Sequence, residues 1–253
     1  MSVNVCENHL VYKSYGYIMN AVVILARTLD PIWLKFLNTF TNYSVFIMVD
    51  NNYKKYENYK NVEIIQISDN ESRENGFAFS CRETIKKPVV SWDKALYYFS
   101  KLYPDKFKFV WFLEDDVFLY SHKTLLNIDA KYPTSDLISQ KNGEGHWPHW
   151  ETVKINHDPP YFNTLVCAVR MSSKLLKAIE SYATKKGELY FIEAMFPTEC
   201  NFTGLIQQSI PELDTLHWQK TKKFTNFQME NIYHPLKNTS EHEKIRIHLH
   251  SVL

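Results

Sequence analysis

Three consecutive carboxylates, Glu114, Asp115 and Asp116, stand at the end of a nearly unbroken apolar run, Phe107-Lys-Phe-Val-Trp-Phe-Leu-Glu-Asp-Asp-Val-Phe-Leu119. Burying one unpaired carboxylate costs several kcal/mol and three adjacent negative charges repel, so folding alone gives no reason to place them there. A cation accounts for them economically. Hard divalent ions prefer carboxylate oxygen, so the cluster reads as a Mg²⁺ or Mn²⁺ site, against the plainer reading of an acidic turn closing a strand. A fourth acid, Glu193, lies in Leu189-Tyr-Phe-Ile-Glu-Ala-Met-Phe. Such surroundings desolvate a carboxylate and strengthen it as a proton acceptor, which suits a general base; a Glu that serves a helix start is the structural alternative. His234, in Ile-Tyr-His-Pro, is an imidazole in the extended context that a following proline imposes. In Gly143-Glu-Gly-His-Trp-Pro-His-Trp150, Trp147 and Trp150 either stack on a ligand or fold back over the core, because exposed indoles are costly otherwise.

The elements around these residues alternate. The acidic run is too short for a core helix and rich in β-branched and aromatic side chains, as in a strand buried on both faces. Tyr17 to Ala26 predicts a first strand with Arg27 at its end, and Asp30-Pro31 opens a helix with Asp at N-cap and Pro at N1. Further strands are expected at Tyr43 to Val49, ending in Asp50, and at Val62 to Ile67, ending in Ser68-Asp69. Residues 70 to 90 read as loop. An amphipathic helix carrying Lys94 spans Ser91 to Leu102 and leads into the acidic strand; a helix follows at about 121 to 130, with short strands at Asp136 to Ser139 and Thr164 to Arg170. Ser172 caps another helix, and His248 and His250 alternate with Ile247 and Leu249 as on a terminal strand. Strands alternating with helices predict an α/β fold with a mainly parallel sheet covered on both faces. Ligands of such sheets bind beyond the carboxyl ends of the strands, where the acids sit.

With 253 residues and 45% hydrophobic content the chain fits one large domain, residues 1–253. Its 29 basic and 28 acidic residues give a net charge of +1, so no global field favours nucleic acid or an anionic membrane. The opening residues lack signal-peptide features and no apolar run approaches a membrane span, which suggests a soluble, cytoplasmic protein. Cys6, Cys81, Cys167 and Cys200 form no C-x-x-C pair and read as free thiols. The abundance of Lys, Asn and Ile hints at an AT-rich source such as a protist or a large DNA virus.

With its acidic strand end, Glu193 and His234, the chain resembles the metal-dependent glycosyltransferases of GT-A fold, single-domain Rossmann-like α/β proteins with a D-x-D or E-D-D motif. The resemblance implies a hexosyl- or N-acetylhexosaminyltransferase that takes a UDP-sugar with Mn²⁺ or Mg²⁺ and delivers the sugar, with inversion, to a saccharide or glycoprotein acceptor. It assigns Asp116 and His234 to the metal, with His242, His248 and His250 as rivals of His234. Glu114 and Asp115 fall to ribose or donor sugar, and Glu193, with Glu199 in reserve, to the general base. Arg27, Asp50 and Asp69 would then line the nucleotide pocket, Lys94 would reach the phosphates, and Trp147 and Trp150 would meet the acceptor. A nucleotidyltransferase or phosphohydrolase is the competing enzyme class, weakened by the absence of a phosphate loop and by only six glycines. A carbohydrate-binding protein without turnover is the competing non-enzyme.

Overall fold

A computed structural model describes residues 20–81, 87–140, 162–218 and 224–251. In chain order they form β1 (Asn20–Ala26), α1 (Pro31–Leu37), β2 (Tyr43–Val49), β3 (Val62–Ile65), α2 (Asp69–Glu74), α3 (Ser91–Tyr97), β4 (Phe109–Glu114), α4 (His122–Lys131), β5 (Leu137–Ser139), β6 (Ala168–Ser172), α5 (Ser173–Lys186), α6 (Ile192–Phe202), β7 (Gln207–Ser209) and α7 (Thr239–Ser251). The strands make one sheet in the order β3-β2-β1-β4-β6-β5-β7. Among the described residues only β6 runs against the rest, paired antiparallel with both β4 and β5. This is the mainly parallel α/β sheet that the alternation of elements predicts.

Period-two alternation sends β1 side chains to both faces. Ala21, Val23 and Leu25 join the core under α3, α5 and α6, while Val22, Ile24 and Ala26 join the core under α1 and α4. A central strand covered on both sides has no use for polar positions, which explains the uninterrupted apolar runs of β1, β2 and β4. The caps follow the sequence closely. Asp30 accepts from Ile32 N–H at 2.8 Å with Pro31 at the first helical position, and Ser172 accepts from Leu175 N–H at 3.2 Å.

Four expectations shift. Residues 70 to 90 are not all loop, because Ser68 caps α2 and accepts from Glu71 N–H. The helix from Ser91 is α-helical to Tyr97 and then winds into a π turn, with Tyr103 N–H reaching Tyr98 C=O at 3.0 Å. The strand expected at Thr164 to Arg170 is regular only from Ala168, since β4 ends at Glu114 and offers no continuing edge to the residues before it. His248 and His250 lie on a helix, α7, whose buried positions His242 and Leu249 recur at helical spacing. Alternation over four residues cannot separate the two periods.

At the opposite ends of the strands from the acids, Asp129 of α4 ties four strands together. One carboxylate oxygen takes Asn20 Nδ2 and Tyr43 Oη, each at 2.7 Å; the other takes Trp111 Nε1 at 3.1 Å and Arg170 Nη1 at 2.8 Å. Arg170 is fully buried and its Nη2 donates to the Tyr132 and Ser135 carbonyls, while its Nε finds no hydrogen-bond partner among the described residues. Removing one partner of a buried ion pair leaves an uncompensated charge, a loss of about 3–5 kcal/mol. Asp129→Ala is therefore expected to lower stability to urea by about that amount, and Asp129→Asn by less, because the amide oxygen still accepts.

Candidate active site

The carboxyl ends of β1, β2 and β4 open into one cleft of about 1010 Å³ that brings together Arg27, Asp50, Glu114, Asp115, Asp116, Glu193 and His234. Local backbone bonding explains why residues 118 positions apart meet. After β4 the chain turns, with Val117 N–H on Glu114 C=O, and Phe118 then exchanges two 2.8 Å hydrogen bonds with Tyr233. Leu236 N–H donates to Asp116 C=O at 2.7 Å, so the segment 232–236 lies along the strand end and sets His234 beside it. His217 C=O accepts from His234 Nδ1 at 2.7 Å. A carbonyl only accepts, so Nδ1 carries the proton and Nε2 faces the acids, 3.1 Å from Asp116 Oδ1 and 3.7 Å from Glu114 Oε2.

The three acids differ in environment. Burial raises the proton affinity of Asp116, but its hydrogen bond and charge contact with His234, aided by Lys237, outweigh this and hold it below the usual carboxylate range. Glu114 goes the other way. Burial pushes it up, and Asp116 and Asp115 add repulsion, against the Trp92 Nε1 hydrogen bond of 3.0 Å and the His234 contact. A third of the Glu114 side chain stays open to the cleft, which tempers the effect of burial. Asp115 is raised by burial and by Asp116. His234 is pulled down by burial, yet Asp116 and Glu114 carry it above its ordinary value. Glu114, Asp115 and His234 thus hold protons more tightly than the free groups do, and a bound cation would oppose this. One carboxylate held ionised beside an imidazole whose Nε2 is turned inward, where an ion would take the place of the proton shared with Asp116, is a donor set that fits Mn²⁺ or Mg²⁺, with Asp116 and His234 as the holders.

Glu193 lies in the first turn of α6, half-buried, and faces the cleft. Pro197 has no N–H to give the Glu193 carbonyl, which accepts from Thr164 N–H at 2.9 Å instead. This bond pins the acid to the segment leading into β6. Asp50 takes Lys87 at 2.9 Å and Lys94 at 2.8 Å, and Asp69 takes Lys94 at 2.7 Å. Lys94 is wholly buried behind the cleft between these two carboxylates. Asp69, the first residue of α2, is held with it. Glu199 is buried and accepts from Tyr190 Oη. Of the rival histidines, His242 is buried against Trp33 and Phe118 and pushed down to about 4 by burial, while His248 and His250 lie outside the cleft on α7. Trp147 and Trp150 lie outside the described residues.

Several cleft residues carry no signal strong enough to single out from sequence. Lys87 and Lys237 supply cations at the rim, Trp92 fixes Glu114, Cys167 lies at its wall, and Tyr53 and Trp218 present exposed rings. Of these, Lys237 was within reach, three residues after His234 in the one distinctive piece of the tail.

No protein-family model matches the chain, and no curated protein matches its sequence. In three dimensions it is similar to the galactosyltransferase LgtC in complex with donor and acceptor sugar analogs, at 10% identity over 91% of this chain and 96% of that one, with a TM-score of 0.52. An active-site mutant of LgtC matches at 11% identity, 90% and 95% coverage and a TM-score of 0.50. Mouse xyloside xylosyltransferase 1 in its apo form aligns at 10% identity, 87% and 98% coverage and a TM-score of 0.46. The chain has the GT-A fold. In this GT-A fold chain the acids stand at the end of the fourth strand, the last parallel one before the sheet takes up the antiparallel β6.

The shifts of the central pair predict how the metal-free protein responds to pH. A raised His234 contributes stability that is full below its unfolded value, about 6.5, and is lost as pH rises through the higher folded value. Asp116, lowered, loses its share only as pH falls through its folded value. His234→Ala should therefore cost most melting temperature near pH 5 to 6 and little at pH 9, measured by thermal unfolding in the presence of a chelator.

Proposed function

We propose that the chain is a divalent-metal-dependent glycosyltransferase that moves a sugar from a nucleoside-diphosphate sugar, a UDP-sugar above all, to a hydroxyl acceptor. The observation that carries this reading is the pairing of Asp116 with His234 Nε2 at the end of β4, in a cleft that also holds Glu193. A divalent ion, when bound, stabilises the negative charge that the departing diphosphate gains. Asp116 and His234 would hold it. Lys237 and Lys87 line the same cleft and add positive charge beside the phosphates. Arg27 and Asp50 flank the nucleotide side, and Glu114 and Asp115 accept hydrogen bonds from ribose or donor-sugar hydroxyls. Asp69 and Lys94 support this half from behind, through the ion pairs that fix Asp50. The transferred group is a hexosyl or N-acetylhexosaminyl unit, and the acceptor is a saccharide or glycoprotein met by Trp147 and Trp150.

Glu193 takes the proton of the acceptor hydroxyl as that oxygen attacks the anomeric carbon and the glycosyl-phosphate bond breaks, so the product has inverted configuration. An acid at a helix start also has a purely structural use. A nucleotidyltransferase reading of the same acids gains little support from this cleft, because among the described residues no glycine lines it to let backbone approach a triphosphate.

Two variants test the proposal. Asp116→Asn is expected to abolish Mn²⁺-dependent UDP-sugar binding in calorimetry, with thermal unfolding run alongside because the variant also gives up the His234 and Lys237 contacts that hold Asp116 ionised. Unchanged binding there refutes the metal assignment. Glu193→Gln is expected to lower turnover by roughly 10²-fold or more, with donor and metal affinity nearly unchanged, because the group acts in the transition state. Near-normal release of free nucleotide from a well-folded Glu193→Gln protein, or a product of retained configuration by NMR, removes Glu193 from the role of base.

A further inference from the structure

The cleft contains a donor set built around a thiol that the proposed glycosyl transfer does not use. Cys167 Sγ, a Glu114 carboxylate oxygen and a His234 ring nitrogen all lie within 4.8 Å of one another. They come from three separate stretches: the end of β4, the residue before β6, and the segment laid along β4. Cys167 and His234 are 7% and 6% exposed, and both face the cleft. A tetrahedral zinc ion with bonds of about 2.0–2.3 Å holds its ligand atoms about 3.3–3.7 Å apart. His234 Nε2 and Glu114 Oε2 already stand 3.7 Å apart, so closing the set around an ion takes shifts of about 1 Å. Each group is also fixed from behind. Glu114 N–H donates to Cys167 C=O at 2.9 Å, Trp92 Nε1 holds the other Glu114 oxygen, and His217 C=O holds His234 Nδ1.

Most buried cysteines are inert small hydrophobes. Cys81 and Cys200, equally buried, belong to no such group among the described residues. Cys167 differs by facing a carboxylate and an imidazole across an open cleft. Thiolate is a soft ligand that Mg²⁺ and Mn²⁺ leave aside and Zn²⁺ takes readily.

We infer that Glu114, Cys167 and His234 form a binding site for a thiophilic divalent ion of the zinc class, which overlaps the hard-ion pair of Asp116 and His234 at His234. On binding, the Cys167 S–H bond breaks, a sulfur–metal bond forms and the proton leaves to solvent, while the fourth position opens to the cleft. The two ions exclude each other, because His234 Nε2 has one lone pair to give. That exclusion rests on the proposed function; the zinc site itself does not.

The test uses the full chain without a tag, stripped by chelator, and Co²⁺ as a spectroscopic substitute for Zn²⁺. The wild-type protein and Asp116→Asn are expected to show the near-ultraviolet thiolate-to-cobalt charge-transfer absorption, bleached by one Zn²⁺ per chain. Cys167→Ser should lose the band and weaken zinc binding well over tenfold, as even the loss of an outer partner of a ligand costs about 10–100-fold. Melting curves and a second variant, His234→Ala at pH 8, guard against misfolding of the buried Cys167→Ser site. A folded wild-type protein without the band, or a band unchanged in Cys167→Ser, overturns the inference. Zinc should also release bound Mn²⁺, seen as the free-ion resonance signal, and Mn²⁺ that stays in place overturns the sharing of His234. If Mn²⁺ never binds while the cobalt band is present, the metal-dependent transferase reading fails and the zinc site stands.

Discussion

Repulsion among three adjacent carboxylates at the end of a buried strand is the constraint on which the cleft depends. Charges a few ångströms apart in a partly dry environment interact by several kcal/mol, too much for the strand end to carry unassisted. The structure answers it unequally. Asp116 receives an imidazole and an ammonium and stays ionised, whereas Glu114 and Asp115 are left holding their protons more tightly. That solution requires the last fifth of the chain. His234 reaches Asp116 only because Phe118 and Tyr233 exchange two backbone hydrogen bonds and Leu236 caps the Asp116 carbonyl. The arrangement of residues 232–236, which has little regular structure of its own, is in this sense tied to the charges at 114 to 116.

A charge cluster is useful only if it stays in register, and this is where the opposite end of the sheet matters. A slip of one residue in β4 would exchange its two faces and send the acids away from the cleft. Asp129 opposes such a slip by binding the first residues of β1 and β2, the Trp111 indole of β4 and the Arg170 guanidinium of β6 at once. The antiparallel β6 adds a second fixed point, since Trp111 and Arg170 are register partners. Strand ends at one edge of the sheet carry the chemistry, and strand starts at the other edge carry the network that holds it still.

This division also explains what could be read from the sequence. β1, α1, β2 and β4 were legible because burial on both faces leaves unbroken apolar runs, and because Asp30-Pro31 writes a helix start in two residues. The strand-end acids stood out because three adjacent carboxylates have no folding rationale, and His234 through its extended context before Pro235 and the family resemblance. Other features depend on pairs that sequence does not display. Lys94 looks like any lysine on a helix, and only the fold reveals that Asp50 and Asp69 enclose it. Cys167 reads as one more small residue of a strand, and its value comes from Glu114 and His234, 53 positions before it and 67 after it. The histidines of α7 misled in the other direction, since a four-residue alternation is common to both periods.

The two halves of the proposed reaction are built on different kinds of support. The acids assigned to the donor hang from strand ends, but Glu193 hangs from a network of loop contacts. Its carbonyl takes Thr164 N–H because Pro197 cannot donate, and Thr164 Oγ1 in turn donates to Gln140 C=O at 2.7 Å. Gln140 Nε2 donates to Leu216 C=O at 2.6 Å, one residue from the carbonyl that orients His234. Glu193 is thus held through its backbone carbonyl, by bonds that run through Thr164 and Gln140 to Leu216, beside the carbonyl that orients His234.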